Sequence, residues 1–310
     1  MPALLDRIAQ RQPGICLYGF APPKRTTAIE QLANIAAQQV ERLSVLDVDG
    51  VIIYDIQDEA ERTSEARPFP FLPTIAPDEY ASVHLGALPL AKVIYRCVAS
   101  DTRDTFVAWL TQARTTPAIT VLVGAPSRHA TGLTLREAYA LVQQHAPGLM
   151  LGGITIAERH ERSQDEHQRI LSKSAAGCRF FVTQAVYDVT STLSLLSDYS
   201  LALGTTGAAP LPIVLTFSPC GSQKTLAFMK WLGIRFPRWL ENELRVAADP
   251  LERSVALCER IFLEIWSYAR EKGIPVGVNV ESVSIRKAEI DASIQLIHTL
   301  RGHMTRSLGG

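Results

Sequence analysis

The chain has 310 residues, is 47% apolar and balances 31 basic against 31 acidic side chains. That length suits one large or two ordinary domains, and zero net charge argues against a nucleic-acid binder, which needs a basic face to displace counterions. No stretch of about 20 residues is continuously apolar, as a bilayer-crossing helix requires, and Met1–Arg7 has no apolar run long enough for a secretion signal.

Apolar, β-branched runs and amphipathic stretches take turns along the chain. Ile15–Phe20 is the first strand, and it breaks at Pro22-Pro23, where proline has no N–H for a ladder. The helix Thr26–Leu43, opened by a Thr-Thr cap signal, and the strands Val51–Tyr54 and Lys92–Val98 follow. Then come helix Thr102–Arg114, strand Ile119–Val123, helix Thr134–His145, strand Leu149–Ile156, helix Asp165–Ala176 and strand Phe180–Val186. Strand Ile213–Phe217 leads into helix Ser222–Leu232, and helix Leu251–Glu271 stops at Lys272-Gly273. Strand Val276–Val283 and helix Arg286–Leu300 close the series. Most strands are almost continuously apolar, which marks strands covered on both faces. The alternation predicts a (β/α)8 barrel spanning 1–310 as a single domain, with 286–310 as a C-terminal helix and tail. A doubly wound open sheet competes, but no GxGxxG follows the first strand.

Chemistry in a barrel sits where strands end, at the C-terminal face. That rule selects Gly19 and Lys24, Asp55 to Glu59, Arg96 and Cys97, Gly124 and Ala125, Glu158 and His160, Gln184 and Tyr187, Ser218 to Gln223, and Glu281. Each has a plain alternative. Gly19 serves equally as a close backbone approach, and Gln184 as a buried amide held by backbone. His160 and His167 suggest a metal, but no third ligand stands at a sensible spacing, so no metal centre is expected. Five scattered cysteines without a CxxC pair read as reduced thiols of a cytoplasmic protein. Trp231 and Trp239 read as packing around Phe236-Pro237, and Leu232–Leu244 is apolar enough to bury against a neighbour, a second copy of the chain included.

Four stretches together resemble the flavin-dependent methylenetetrahydrofolate reductase family. They are Tyr18-Gly19-Phe20-Ala21-Pro22-Pro23-Lys24 against F-E-F-F-P-P-K/R, and Ala176-Gly177-Cys178-Arg179-Phe180-Phe181-Val182-Thr183-Gln184 against A-G-A-x-x-x-I-T-Q. Gly233-Ile234-Arg235-Phe236-Pro237-Arg238-Trp239-Leu240 is similar to V-x-I-P-x-W-(M/L), and Ser284-Ile285-Arg286-Lys287-Ala288-Glu289 to L-N-R-x-E. They keep the family's order and spacing from residue 14 to about residue 301. The resemblance implies a barrel that holds FAD at its C-terminal face, with NADH or NADPH and a folate taking turns at the flavin. The implied reaction interconverts 5,10-methylenetetrahydrofolate and 5-methyltetrahydrofolate. Gln184 and Gln223 would contact the folate, while Tyr54, Gly124, Ala125, His160 and Lys173 would line the cofactor.

Two departures bear on the chemistry. The family's glutamate, its general acid, is Gly19 here, and the aspartate closing its fourth strand is Ala125. A positioned general acid contributes about 10²–10⁴-fold, so a reductase would need a substitute. Glu281 and Asp55 are the carboxylates best placed to supply one. Altered acid chemistry would also favour oxidation of the methyl-folate. A barrel that binds folate or a partner protein without turnover is the alternative reading, and a flavin barrel with a changed substrate is a third.

Overall fold

The structure is a computed structural model and describes residues 3–59, 65–113, 119–125 and 131–309. Eight parallel strands, β1 (Cys16–Phe20), β2 (Gly50–Ile53), β3 (Ala91–Cys97), β4 (Ile119–Val123), β5 (Met150–Thr155), β6 (Phe180–Ala185), β7 (Ile213–Phe217) and β8 (Val276–Glu281), pair in sequence order. β8 pairs back onto β1, with Gly19 opposite Glu281, and closes the sheet. The result is the expected single (β/α)8 barrel.

The helices among the described residues are α1 (Leu4–Ala9), α2 (Ile29–Ser44), α3 (Pro77–Glu79), α4 (Arg103–Ala113), α5 (Leu135–His145), α6 (Ala157–Ser163), α7 (Glu166–Ala175), α8 (Val189–Thr206), α9 (Gln223–Trp231), α10 (Arg238–Val246), α11 (Pro250–Glu271) and α12 (Lys287–Leu308). Five features were not legible as elements, α10 among them. α1 is short, and its Leu4 and Ile8 join the interior cluster of Ile15, Leu17, Ile52 and Val93, so its apolar side is buried by the barrel rather than by a helical partner. α8 is rich in Ser and Thr, which favour non-helical alternatives. It is capped by the Asp188 carboxylate at the Ser191 N–H and buries Leu195, Leu196 and Tyr199. α6 is a short segment ahead of the expected α7. Among the described residues between β2 and β3 there is the single turn α3, running into a π-helical turn at Tyr80–His84.

Two apolar layers hold the barrel. The outer one lies between strands and helices and includes Val51, Ile53, Phe181, Leu215, Phe262 and Leu296. The inner one fills the barrel with Leu17, Ile52, Tyr95, Val121, Phe180 and Val214. Inward residues recur every second position along a strand, so the step from Leu17, Ile52, Val182 and Val214 lands on Gly19, Tyr54, Gln184 and Thr216. These lie at the C-terminal mouth. Gly152 admits the Phe180 ring into the interior, because a Cβ there would lie 2.5 Å from its Cζ.

After β1 the chain does not simply leave the sheet. The Ile75 N–H donates to the Pro23 carbonyl and the Arg25 N–H to the Pro73 carbonyl, both at 2.9 Å, with Lys24 bridging Thr74 antiparallel. Past the proline pair the chain thus pairs with the end of the loop Gln57–Pro73, of which 60–64 lie outside the described residues. Trp231 is buried as expected, whereas Trp239 is 46% exposed with the Arg260 guanidinium 4.8 Å from its ring. Among the described residues no helix is long and apolar enough to cross a membrane.

Candidate functional site

Gly19, Tyr54, Asn279 and Glu281 meet where β1, β2 and β8 end. A Cβ on Gly19 would lie 2.8 Å from both Cε2 and Oη of Tyr54 and 3.0 Å from Oδ1 of Asn279. Real side chains do not approach so closely, so residue 19 has to be glycine while Tyr54 lies across it. The vacancy read in the sequence as a lost acid is therefore filled by a phenol from the neighbouring strand.

The phenol is wired. The Asn279 amide donates to the Tyr54 hydroxyl at 2.8 Å and contacts Oγ1 of Thr216 at 3.3 Å. The Tyr54 hydroxyl in turn bonds the Glu281 carboxylate. Burial raises the Glu281 carboxyl from 4.5 to about 7, a shift the Tyr54 bond only partly offsets. The same burial and the facing Glu281 charge push the Tyr54 phenol well above its ordinary value, so it remains a donor at neutral pH. Glu281 keeps part of its surface accessible. A carboxyl that is half protonated near neutral pH and reachable from the mouth can give or take a proton.

Asp55, ranked with Glu281 as a substitute acid, faces elsewhere. One oxygen accepts from the Cys97 backbone N–H and the other from the Gln57 amide, both at 2.7 Å. It anchors the rim after β2 to the end of β3. Burial raises its carboxyl above the usual range.

Across the mouth, Gln184 projects from β6. Its Nε2 donates to the Leu232 carbonyl at 2.8 Å, while its buried Oε1 meets no donor. An unmet buried acceptor costs roughly 1–3 kcal/mol, and a ligand N–H would relieve it. Gln223 is exposed at the start of α9, which Ser222 caps by accepting from the Thr225 N–H.

The residues that the resemblance assigns to a flavin have separate local partners. Lys173 lies against β5, its ammonium donating to the Ile154 carbonyl and its stem 3.3 Å from where a Gly153 Cβ would be. His160 is 2% exposed, with Nε2 3.1 Å from the Asp198 carboxylate on α8. Gly124 and Ala125 follow β4. A Cβ on Gly124 would lie 3.2 Å from the Leu135 side chain, and the Gly124 carbonyl accepts weakly from the Cys97 thiol. Only Tyr54 belongs to the polar cluster at the mouth. The titratable groups of that cluster are Glu281 and Tyr54.

Asp198 also answers the expectation about metal. His160, His167 and Asp198 bring one ligand atom each to within 4.8 Å of one another between α6, α7 and α8. Sequence spacing could not reveal this third ligand, because it arrives from α8, a helix without a helical signature in the sequence.

No protein-family profile and no curated protein matches the chain. Solved structures do. An uncharacterized protein from Clostridium thermocellum that binds two copies of 5-methyl-5,6,7,8-tetrahydrofolic acid is 43% identical, with a TM-score of 0.87 over 97% of this chain and 100% of its own. A GH113 β-1,4-mannanase superposes at TM-score 0.54 over 94% of this chain and 99% of its own, at 13% identity, and shares the fold alone.

Proposed function

Because this chain belongs to the family of the Clostridium thermocellum protein, we propose that it binds a reduced folate of the 5-methyltetrahydrofolate class in the mouth of its barrel. The observation that carries the reading is the pairing of Glu281, a carboxyl with its pKa near 7, with Gln184, whose buried Oε1 lacks a donor. A reduced pterin offers both complements. Its amino and ring N–H groups suit the idle amide oxygen, and its basic ring nitrogens suit a protonated carboxyl. In the catalytic form of this reading Glu281 is the general acid toward a folate nitrogen, held by Tyr54 and Asn279, and replaces the acid absent at Gly19.

The direct test is calorimetric titration with 5-methyltetrahydrofolate. Saturable binding with a dissociation constant of about micromolar order is expected. No heat and no competition up to about millimolar ligand would end the reading. A visible scan of the purified protein, before and after adding FAD, separates binding from flavin-dependent redox chemistry. A flavin band that bleaches anaerobically with 5-methyltetrahydrofolate supports an oxidoreductase using NADH or NADPH. A colourless protein that binds folate supports a folate-binding barrel.

A further inference from the structure

Arg67 is a guanidinium in an aromatic box. Its Cζ lies 5.3 Å from the Phe71 ring centre, 5.5 Å from Phe228 and 5.1 Å from Trp231. Its Nε and Nη1 are buried, and neither has a hydrogen-bond partner. Arginine cannot lose its charge in a protein. Cation–π contact returns part of the desolvation cost, but it leaves two N–H donors unmet. A partly buried cation with two idle N–H donors suits an anion such as a carboxylate.

The box is joined to the mouth. Trp231 Nε1 donates to the Glu65 carbonyl at 3.0 Å, which ties the loop carrying Arg67 to α9. The next residue, Leu232, is the one whose carbonyl holds the Gln184 amide. At the other end of α9 a second cation, Lys224, lies 4.5 Å over Phe69, which packs edge-on at 5.2 Å against Phe228. Aromatic rings and two cations thus run outward from Gln184 along α9.

Building on the folate reading above, we propose that this strip is a subsite for an aryl-amide carboxylate, the p-aminobenzoylglutamate end of the folate, with Arg67 pairing a glutamate carboxylate and Lys224 serving the outer one.

The test compares three probes: 5-methyltetrahydrofolate, the tail-less 6-methyltetrahydropterin, and p-aminobenzoylglutamate alone. Arg67→Leu is expected to weaken 5-methyltetrahydrofolate about tenfold or more and leave the tail-less pterin unchanged. Arg67→Lys should fall between. Lys224→Ala, at an exposed position, guards against a folding defect and should weaken the tailed ligand alone. Equal losses for tailed and tail-less ligands, or none in a folded variant, would overturn the subsite while leaving the folate reading standing. If the wild type binds neither folate nor pterin, the folate reading fails. The subsite then stands only if p-aminobenzoylglutamate alone binds and needs Arg67, and falls if it does not.

Discussion

The two sides of the barrel mouth are built on different logic. Where β8, β1 and β2 end, polar side chains bond one another in series, Asn279 to Tyr54 to Glu281, and the last group is a titratable carboxyl. Where β5 and β6 end, polar side chains are tied to backbone, Lys173 to Ile154 and Gln184 to Leu232, and what remains is an idle amide acceptor. The first side can move a proton, and the second can only hold and orient. A ligand lying across the mouth would be fixed by one wall and protonated by the other. Acid–base sites generally divide these tasks.

The hardest blow to this contrast would come at Gly19. Gly19→Glu restores the reductase-like carboxylate in sequence, but its Cβ meets Tyr54 at 2.8 Å. Overpacking alone costs about 1–3 kcal/mol, and a second carboxylate beside Glu281 adds repulsion. The variant should lose more than about 3 kcal/mol in denaturant unfolding, and Tyr54→Ala in the same chain should recover part of it. A Gly19→Glu protein as stable as wild type would mean that Tyr54 does not claim the space.

A smaller effect separates Glu281 from an ordinary rim acid. Its carboxyl is raised from 4.5 to about 7 in the folded chain, so the fold favours the protonated form. That contribution is complete below about pH 4.5, fades as pH rises and is gone above about pH 7. Glu281→Gln does not titrate. Its stability relative to wild type should therefore grow across that window, by at most about 3 kcal/mol. Parallel unfolding curves at each pH check it, and a difference that is flat with pH would return Glu281 to a solvated surface acid. If Glu281 donates to the folate, turnover or affinity should also decline through the same window in wild type and not in the variant.

On the holding side, Gln184→Leu removes both the tether to Leu232 and the idle acceptor. Folate affinity should fall about tenfold, with about 1 kcal/mol lost from stability, read by calorimetry and unfolding. Unchanged affinity would leave Gln184 a purely structural amide.

The barrel was legible because its strands are continuous apolar runs at even spacing, a signal that survives without knowledge of partners. The site was legible only by position. Strand ends pointed to Gly19, Gln184 and Glu281, the resemblance added Tyr54, and all four stand at the mouth. What they do depended on neighbours across the sheet. Tyr54 covering Gly19 is a contact between β1 and β2, and a sequence separation of 225 between Asn279 and Tyr54 carries no trace of their hydrogen bond. Asp55 looked equivalent to Glu281 in sequence, yet the strand's alternation turns it toward Cys97 instead of the interior. α8 was missed because its Ser and Thr content hides a helix that is stabilised by tertiary burial, and Asp198 went unseen with it. Arg67 was invisible as a site, since two of the three rings around it come from α9, far along the chain.

The smallest expected effect falls on Lys173, and it sharpens the contrast from the quiet side. A helical lysine is by default a solvated cation. This one is mostly buried against β5, where desolvation lowers its pKa, and its ammonium is engaged by the Ile154 carbonyl. Its long stem already fills the space beside Gly153, so Lys173→Met keeps the volume and exchanges one hydrogen bond for relief of a buried charge. Stability should shift by less than about 1 kcal/mol, and 5-methyltetrahydrofolate affinity should stay within about twofold, because the amine points into the wall rather than the mouth. Flavin retention is the decisive readout. If the protein holds FAD through Lys173, the variant should shed its visible band while still binding folate. A band that is unchanged, or absent from wild type as well, assigns Lys173 to the wall that holds and leaves the proton chemistry of the mouth to Glu281.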